Sequence, residues 1–477
     1  MRSLIVVLLI ANVSFTPVFG EEAGLQAGAA VVDVTPPFGQ LIVGGWQPYP
    51  ARVIHDPIQA RCVVLEQDGT RMAFVVTDNV GIPAEVFDAA RQLVPANSGI
   101  NPLNIMMSST HTHSATTARG RKRLGTNGTL TAYQQQVARG IADAVTKAVA
   151  KLQPAELAVG SATEPREVFN RRWFMAPGFA IPNPFGGVDK VRMNPPRGHG
   201  SLLRPAGPTD PEIAFMSIRT IDGKPLALFA NYSLHYVGGV PQGDVSADYF
   251  AIFAAKVGQL LGADDTFVGV MSNGTSGNIN NIDFQNKSAR RPHYEKMTEV
   301  AHRVAERVFK AHDGLKYTRR LDHFDMGRQK LTLKARKPTP EILAYFKRVE
   351  QKPDSEKGYQ SKEKIYAERM RVLQDEPAEV TIELQHFIIG DLAIVTIPFE
   401  VFVEIGLEIK RKSPFKQTFT ISLANGSYGY LPTPEHHKLG GYETWLGTNV
   451  VEYQASVKIT KAVLTSLNDS FAKKASK

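Results

Sequence analysis

Three long stretches of the chain place an Asp-Gly or Gly-Asp pair between two apolar, β-rich runs. They are residues 60–78, 212–235 and 383–400, the last of which reads "ELQHFIIGDLAIVTIPFE". A Gly beside Asp between two such runs is typical of a tight hairpin turn, because these residues tolerate the backbone angles that the turn requires. The pattern therefore predicts three antiparallel hairpins.

A second period of apolar positions lies between the hairpins. Apolar residues recur every four positions over residues 133–145 and again over residues 300–308. Residues four apart share one face of a helix, so both stretches are predicted to be amphipathic helices. Hairpins mixed with helices predict an α/β (α+β) fold of layered mixed β-sheets flanked by helices, and not a doubly wound parallel sheet.

Two segments break this pattern. Residues 334–377 are charged, flanked by proline and helix-prone, and we interpret them as a helical insertion on the surface. Residues 172–210 are rich in Pro and Gly and predict a long loop, which we expect to wall a substrate cleft. No internal repeat is present, and we expect residues 21–477 to form one large catalytic domain.

The first twenty residues have the composition of a signal peptide. Arg2 precedes the apolar run 4–13, and small residues follow at a cleavage site near Gly20. The apolar run is shorter than the ~20 residues that a membrane-spanning helix needs. We therefore expect a secreted or periplasmic protein. Cys62 is the only cysteine and cannot form an internal disulfide.

Charge narrows the classes of partner. The formal net charge is +9, from 55 Lys and Arg against 46 Asp and Glu, and the two signs are interspersed along most of the chain. No nucleic-acid-binding motif accompanies the excess of basic residues, so no nucleic-acid partner is predicted. We expect a small-molecule or lipid-like acyl substrate, contact with a membrane or envelope surface at most, and no obligate protein partner.

Polar or glycine-rich residues follow five of the apolar runs that are predicted strands. "NIMMSST" leads to His111 and His113, "LALFANYSL" to His235, "TFVGVM" to "SNGTSGNINN", "LAIVTIPF" to Glu400, and "FTISLAN" to Tyr428 and Tyr430. The carboxyl ends of strands are the usual place for sites in α/β folds. Two histidines, a glutamate and one further donor make an ordinary zinc set.

The paired histidines in "SSTHTHS" can be explained in two ways. Residues i and i+2 of a strand point to the same face, which would direct His111 and His113 into one pocket. A lone His-x-His pair is nevertheless usually incidental. The residue pattern alone leaves a metal site and two ordinary histidines both open.

Six segments, in order, resemble the catalytic domain of the neutral/alkaline (non-lysosomal) ceramidase family, which are zinc amidases. They are "GAAVVDVTPPFGQLIVGGW", "SSTHTHS", "DPEIAFMSIRTIDGKPLALFANYSLH", "NGTSGNINN", "IPFEVF" and "LANGSYGYLPTPEHHKLGGYE". The similarity runs from about Gly28 to about Trp445. It implies the fold of that catalytic domain and hydrolysis of a linear amide by metal-activated water.

The resemblance also implies the roles of individual residues. The Zn²⁺ ligands would be His111, His235, Glu400 and Tyr430. The catalytic residues would be His113 as general base or acid, Arg171 on the oxyanion side, and Tyr442 as a hydrogen-bond donor to the developing oxyanion. Arg172 directly follows Arg171, so the identity of the oxyanion-side arginine depends on this alignment.

The chain departs from the family pattern in two places. Asn280 stands where the family has its active-site serine, and an amide cannot act as an acyl nucleophile. Ser276 and Gly277 lie nearby in the same loop, and we predict that Ser276, Gly277 and Asn280 contact substrate. No counterpart of the family's C-terminal immunoglobulin-like domain is recognisable after Trp445.

These departures keep several functions open. The first is an exported zinc hydrolase of an N-acyl, ceramide-like amide, with a role in sphingolipid or other lipid metabolism. The second is a zinc esterase or deacetylase that acts on acylated carbohydrate. The third is a metal-assisted polysaccharide lyase, in which His113 or Tyr442 removes a proton. The fourth is a binding protein of the same fold with impaired catalysis.

Overall fold

The computed structural model describes residues 24–475 apart from residues 117, 121, 127, 288–290, 354, 355 and 357. The proposed signal peptide, residues 1–20, lies outside the described residues. Within them, the chain forms a series of short and long strands interrupted by helices.

The strands are β1 (Gln26–Asp33), β2 (Leu41–Ile42), β3 (Tyr49–Pro50), β4 (Val53–Ile54), β5 (Gln59–Gln67), β6 (Thr70–Thr77), β7 (Ile105–Ser109), β8 (Gln153–Thr163), β9 (Phe169–Asn170), β10 (Arg172–Met175), β11 (Val191–Met193), β12 (Leu202–Pro205), β13 (Glu212–Thr220), β14 (Pro225–Tyr232), β15 (Asp244–Val245), β16 (Val268–Asn273), β17 (Ile279–Asn280), β18 (Phe324–Lys334), β19 (Glu379–Ile389), β20 (Leu392–Ile397), β21 (Glu400–Val401), β22 (Gln417–Ser422) and β23 (Tyr430–Leu431). The helices are α1 (Ala84–Leu93), α2 (Ala132–Val149), α3 (Asp248–Leu260), α4 (Glu295–His312), α5 (Pro340–Glu350), α6 (Glu363–Gln374), α7 (Val403–Lys412), α8 (Pro434–Leu439) and α9 (Ala455–Ala475).

The largest sheet has eight strands in the order β16-β14-β13-β8-β1-β5-β6-β7. The two edge strands, β16 and β7, run parallel to their neighbours β14 and β6. The other neighbouring strands are antiparallel, and the hairpins β5–β6 and β13–β14 lie where the Asp-Gly pattern predicts them. The mixture of pairings confirms the prediction of mixed sheets.

A second sheet of four strands, in the order β18-β19-β20-β22, packs face to face on the first. Its hairpin β19–β20 is the third one predicted from sequence. Aromatic side chains join the two sheets: the ring of Phe74 on β6 lies 5.0 Å from that of Phe387 on β19, and Phe229 on β14 stacks on Phe419 on β22 at 6.5 Å. Burial of such rings, at roughly 1.5–3 kcal/mol each, holds the sandwich together.

Helices cover the outer faces of both sheets. Helices α1 and α2 pack beside β1, β5 and β6, helices α3 and α4 pack beside β13, β14 and β16, and α7 and α9 pack on the second sheet. Helices α5 and α6 pack on each other, and their buried residues belong to the core cluster that includes the second sheet. Helix α2 begins with a capping box, in which Thr131 and Gln134 satisfy each other's backbone N–H groups. The result is a layered α/β/β/α sandwich, as predicted.

Two predictions about irregular segments need correction. The Pro- and Gly-rich residues 172–210 contain a small three-stranded sheet in the order β11-β10-β12, so they are not simply a loop. The segment 334–377 does form helices, α5 and α6, but one face of each is buried, with Phe346 and Tyr366 packed on Phe185. Composition hides both features, because each element is stabilised by partners distant in sequence.

The division of the chain into a signal peptide and one catalytic domain stays a prediction. Among the described residues, none of the helices has the length and apolar character required to cross a membrane.

Candidate metal centre

Three parallel strand pairs bring the predicted site residues together. The carboxyl ends of β7, β16 and β22 meet where the two sheets join. Asn425 N–H, after β22, donates to the carbonyl of Met107 on β7 at 2.8 Å, and the Asn273 side-chain amide, at the end of β16, donates to the carbonyl of Thr110 at 3.1 Å. The loops that follow these strands are therefore held around one point.

His111 lies just beyond β7 and not on it. Its backbone has φ of 69°, in the left-handed region, and its N–H donates to the carbonyl of Asn79 at 2.9 Å. The sequence predicts that His111 and His113 point the same way because they would be alternate residues of a strand. That reason is wrong, since the strand ends at Ser109. Both do face one site, because a turn with a strained residue directs them there.

Hydrogen bonds to the backbone orient two of the imidazoles. His111 Nδ1 donates to the carbonyl oxygen of Val80 at 2.5 Å. His235 Nδ1 donates to the carbonyl oxygen of Ser276 at 3.1 Å and lies 3.2 Å from the Ser276 hydroxyl. In both rings the proton is thereby placed on Nδ1, and Nε2 is left as the atom that can accept a metal or a proton.

The ring nitrogens of His111, His113 and His235 lie within 4.8 Å of one another, close enough to hold a metal ion. His113 Nε2 is 3.1 Å from His111 Nε2, so a shared proton or a cation is required between them. The Glu400 carboxylate oxygen Oε2 is 3.3 Å from His111 Nε2 and 4.0 Å from His235 Nε2. Sequence-distant residues thus form one cluster.

Burial sets the charge states of this cluster. Burial first, and then the positive charge of neighbouring groups, lowers the pKa of His113 and of His235 well below the usual value. Burial opposes ionisation of Glu400, but His111, Arg119 and His235 outweigh it and lower the pKa of its carboxyl group. The structure therefore favours neutral imidazoles at His113 and His235 beside an ionised Glu400 carboxylate, and these are forms that bind metal ions.

Tyr430 lies on the other side of Glu400. Its hydroxyl lies within hydrogen-bonding reach of Glu400 and of the Arg171 guanidinium, whose Cζ is 5.4 Å from the Tyr430 ring centroid. Burial, together with the Glu400 charge, raises the pKa of Tyr430 well above its usual value in spite of Arg171. A bound cation would be needed to stabilise the phenolate that the resemblance implies.

A buried carboxylate fixes the two adjacent arginines. Arg171 Nε donates to Glu443 Oε1 at 3.0 Å, and Arg172 Nη1 donates to Glu443 Oε2 at 2.7 Å. Arg171 then faces Tyr430, whereas Arg172 donates to the carbonyl of Gly440 at 2.6 Å and faces away from the cluster. Of the two arginines, the structure places Arg171 at the site.

No protein-family model matches this sequence, and no curated protein matches it either. Solved structures do match. A neutral ceramidase from Pseudomonas aeruginosa has a TM-score of 0.65 and 16% sequence identity over 93% of this chain and 74% of its own. A ceramidase complexed with C2 has a TM-score of 0.66 and 15% identity over 92% of this chain and 74% of its own.

The chain has the neutral ceramidase fold.

Tyr442 lies at the rim of the site in this ceramidase-like fold. Its ring is 5.7 Å from that of Tyr430 and 5.4 Å from that of Trp46, and Arg369 forms a hydrogen bond with its hydroxyl. It also lines a cavity of about 270 Å³ that includes residues of the segment 172–210. The segment 172–210 was expected to wall a substrate cleft, and the position of its residues in this cavity agrees with that expectation.

The loop residues Ser276, Gly277 and Asn280 lie in the walls of the site. A Cβ on Gly277 would lie 2.5 Å from the carbonyl oxygen of Glu400, so the glycine permits close backbone approach. The Asn280 amide donates to Asn194 Oδ1 at 3.0 Å, and the Ser276 hydroxyl donates to Asn273 Oδ1 at 2.7 Å. These contacts hold the walls of the site, and substrate contact by the three loop residues stays a prediction.

Sequence reasoning missed three residues that shape this site. Glu443 is fully buried between Arg171 and Arg172. The sequence offered one indication of this role, because two adjacent arginines need a counterion and Glu443 directly follows the predicted site residue Tyr442. Tyr236 stacks on His113 with ring centroids 3.7 Å apart. Arg119 Nη2 lies 3.8 Å from Glu400 Oε1.

Proposed function

We propose that this protein is an exported zinc-dependent hydrolase that cleaves the amide bond of an N-acyl substrate. One observation supports it above the others. Glu400 Oε2 and His235 Nε2 are buried and have no hydrogen-bond partner among the described residues, and both face the His111 ring. Buried polar atoms normally have partners, and a cation held between these two atoms would be a partner to both.

The donor set fits zinc in particular. Neutral imidazole nitrogens and an ionised carboxylate are ligands that Zn²⁺ accepts in catalytic sites, and Tyr430 adds a fourth oxygen. His111, His235, Glu400 and Tyr430 would hold the ion, and His113 is near enough to join them or to remain free. When bound, zinc polarises a carbonyl and lowers the pKa of water to ~7.

The remaining residues are suited to the other parts of amide hydrolysis. His113 is half-buried and held by Tyr236, and burial favours its neutral form, so its imidazole can accept a proton and return it to the leaving amine. Arg171 and Tyr442 lie on either side of Tyr430 and can donate to a developing oxyanion. Asn280 cannot form an acyl-enzyme, so direct attack by water is the route proposed here.

Metal content and amide turnover test the proposal together. We expect about one zinc per chain by elemental analysis of purified protein. His111→Ala and His235→Ala should each lose metal and amide hydrolysis, whereas His302→Ala, on the half-exposed face of α4, should lose neither. Full metal occupancy in both site variants would refute the ligand assignment.

A substrate panel separates the proposed reaction from its alternatives. N-acyl amides, acetylated sugars and polyuronates are offered to the zinc-loaded protein, and release of free amine is expected from the amides alone. Release of acetate from sugars would indicate a deacetylase, and an unsaturated uronate product would indicate a lyase. Retention of activity and absence of covalent labelling with a fluorophosphonate are expected as well, because Ser276 is engaged with Asn273.

Export rests on the apolar N-terminal segment of the sequence. Its removal should be visible in the mass of the secreted or periplasmic protein. An intact N-terminus on protein retained inside the cell would contradict this part of the proposal.

A further inference from the structure

A cavity of about 270 Å³ opens beside the candidate metal centre. Trp46, Tyr442 and Trp445 form its aromatic walls, and strand β11 of the small sheet forms another side. The cavity lies next to the site: Asn194 in its wall accepts a hydrogen bond from Asn280, and the Asn194 N–H donates to the carbonyl of Arg171 at 2.8 Å.

Two cations line this cavity without a carboxylate partner among the described residues, namely Arg192 and Lys362. Arg192 Nε is buried and has no hydrogen-bond partner. Lys362 Nζ lies over the Trp46 ring at 4.4 Å from its centroid. Buried polar atoms normally have a hydrogen-bond partner. Arg192 as a whole is only half-buried, and a guanidinium matches a carboxylate with two parallel hydrogen bonds.

One carboxylate also lines the cavity, and it is already engaged. Asp189 accepts a hydrogen bond from Trp445 Nε1 at 2.7 Å and another from the Asn183 amide at 3.0 Å. It therefore fixes the aromatic wall, and among the described contacts no ion pair joins it to Arg192 or Lys362. The lining keeps an excess of positive charge facing the space that a substrate would occupy.

The size of the cavity limits what it accepts. An apolar cavity of about 150 Å³ holds one benzene molecule. A cavity of about 270 Å³ therefore has room for a group as large as a single amino acid. Size and charge together indicate a compact group that carries one negative charge.

We propose that this cavity binds the amine half of the substrate and selects one that carries a carboxylate, so that N-acylated amino acids are preferred over neutral N-acyl amines. The inference rests on the proposed amide hydrolysis, since it places the cavity beside the bond that is cleaved. Arg192 pairs with the carboxylate, Lys362 adds charge at the rim, and the aromatic walls contact the carbon atoms of the amino acid.

Binding and turnover are measured with two matched ligands. N-dodecanoylglycine and N-dodecanoylethanolamine have the same acyl chain and differ in a carboxylate against a hydroxymethyl group. Two of the three tryptophans, Trp46 and Trp445, line the cavity, so intrinsic fluorescence reports binding without turnover. We expect the glycine compound to bind at least tenfold more tightly and to be hydrolysed with at least tenfold higher kcat/KM.

Variants assign the preference to Arg192. Arg192→Met should reduce the ratio of the two affinities to about one, and Arg192→Lys should restore part of it. Arg204→Met is the matched control, because Arg204 lies on the same small sheet, stacks on Phe174 at 4.2 Å and does not line the cavity. It should leave the ratio unchanged.

The two proposals fail in different ways. Selective binding of the glycine compound without turnover of either ligand would refute the proposed hydrolysis and support the carboxylate site. Equal affinity for both ligands, or a preference that survives Arg192→Met, would overturn the carboxylate site even if both amides were hydrolysed.

Discussion

Glu443 is predicted to be the counterion that allows two adjacent arginines to be buried. The three side chains are nearly inaccessible to solvent, with exposures of 6%, 0% and 0% for Arg171, Arg172 and Glu443. Glu443→Gln keeps the size of the side chain but removes its charge and one of its two acceptor oxygens. Breaking a buried ion pair from one side costs about 3–5 kcal/mol.

The expected loss follows from the contacts. Each hydrogen bond to a charged group contributes about 1.5–3 kcal/mol, and glutamine can keep one of the two that Glu443 accepts. We therefore expect Glu443→Gln to lower the free energy of unfolding by about 3–4 kcal/mol. With an unfolding entropy of about 2.1 cal/mol/K per residue over 477 residues, or about 1 kcal/mol/K, the melting temperature should fall by about 3–4 °C.

Differential scanning calorimetry measures this shift, with urea unfolding as a second method. Glu435→Gln is the control, since Glu435 is exposed on α8 and has no ion pair among the described contacts of that helix; its change should stay below about 0.5 kcal/mol. A double-mutant cycle with Arg172→Met should show coupling between the two positions. A loss below about 1 kcal/mol, or no coupling, would refute the assignment of Glu443 as the shared counterion.

Three further predictions concern the supports of the site and its surroundings. Ser276→Ala should weaken zinc binding about tenfold in competition with a chelator, because the Ser276 hydroxyl lies 3.2 Å from Nδ1 of the proposed ligand His235 and loss of such a supporting contact has an effect of that size. Unchanged affinity would show that the hydroxyl is dispensable. Gly277→Ala should lower the free energy of unfolding, measured in urea, by about 1–3 kcal/mol, because the added Cβ overpacks the loop. Gly200→Ala is the control and should have no such effect, since no atom lies within 4 Å of its added Cβ. Equal effects of the two substitutions would contradict the close packing at Gly277. Burial would raise the pKa of Glu164, but hydrogen bonds and charges from neighbouring arginines outweigh it and lower that pKa to about 2. The ionised side chain therefore contributes stability above pH 4.5, and this contribution is lost as the pH falls toward 2. Glu164→Gln should flatten that part of a stability–pH profile, and a profile parallel to that of the parent protein would count against the prediction.

Local patterns were sufficient to predict the elements that bury alternate or every fourth residue. The hairpins β5–β6, β13–β14 and β19–β20 and the helices α2 and α4 follow from apolar periodicity and from Asp-Gly turns, and the structure confirms them. The mixed, layered fold class follows from the same signals. Periodicity works there because each element presents one apolar face to the core.

The small sheet β10–β12 and the buried faces of α5 and α6 were not predictable in this way. Their strands are short and their sequences polar or rich in proline, and their stability comes from partners far along the chain. Propensity is a weak indication where tertiary contacts decide the conformation.

The sequence by itself determined which chemical groups this protein can use. Histidine, glutamate and tyrosine follow the ends of apolar strands, and the resemblance to the ceramidase family, not the pattern of these residues, implied which of them would bind a metal. Only the tertiary structure decided where those groups point. His111 faces the site because its backbone is left-handed and its Nδ1 is tied to Val80, and Arg171 does so because a buried Glu443 holds it. The physical reason is that side-chain direction, burial and charge state depend on neighbours brought together across some 330 residues, and no local pattern of apolar positions specifies them.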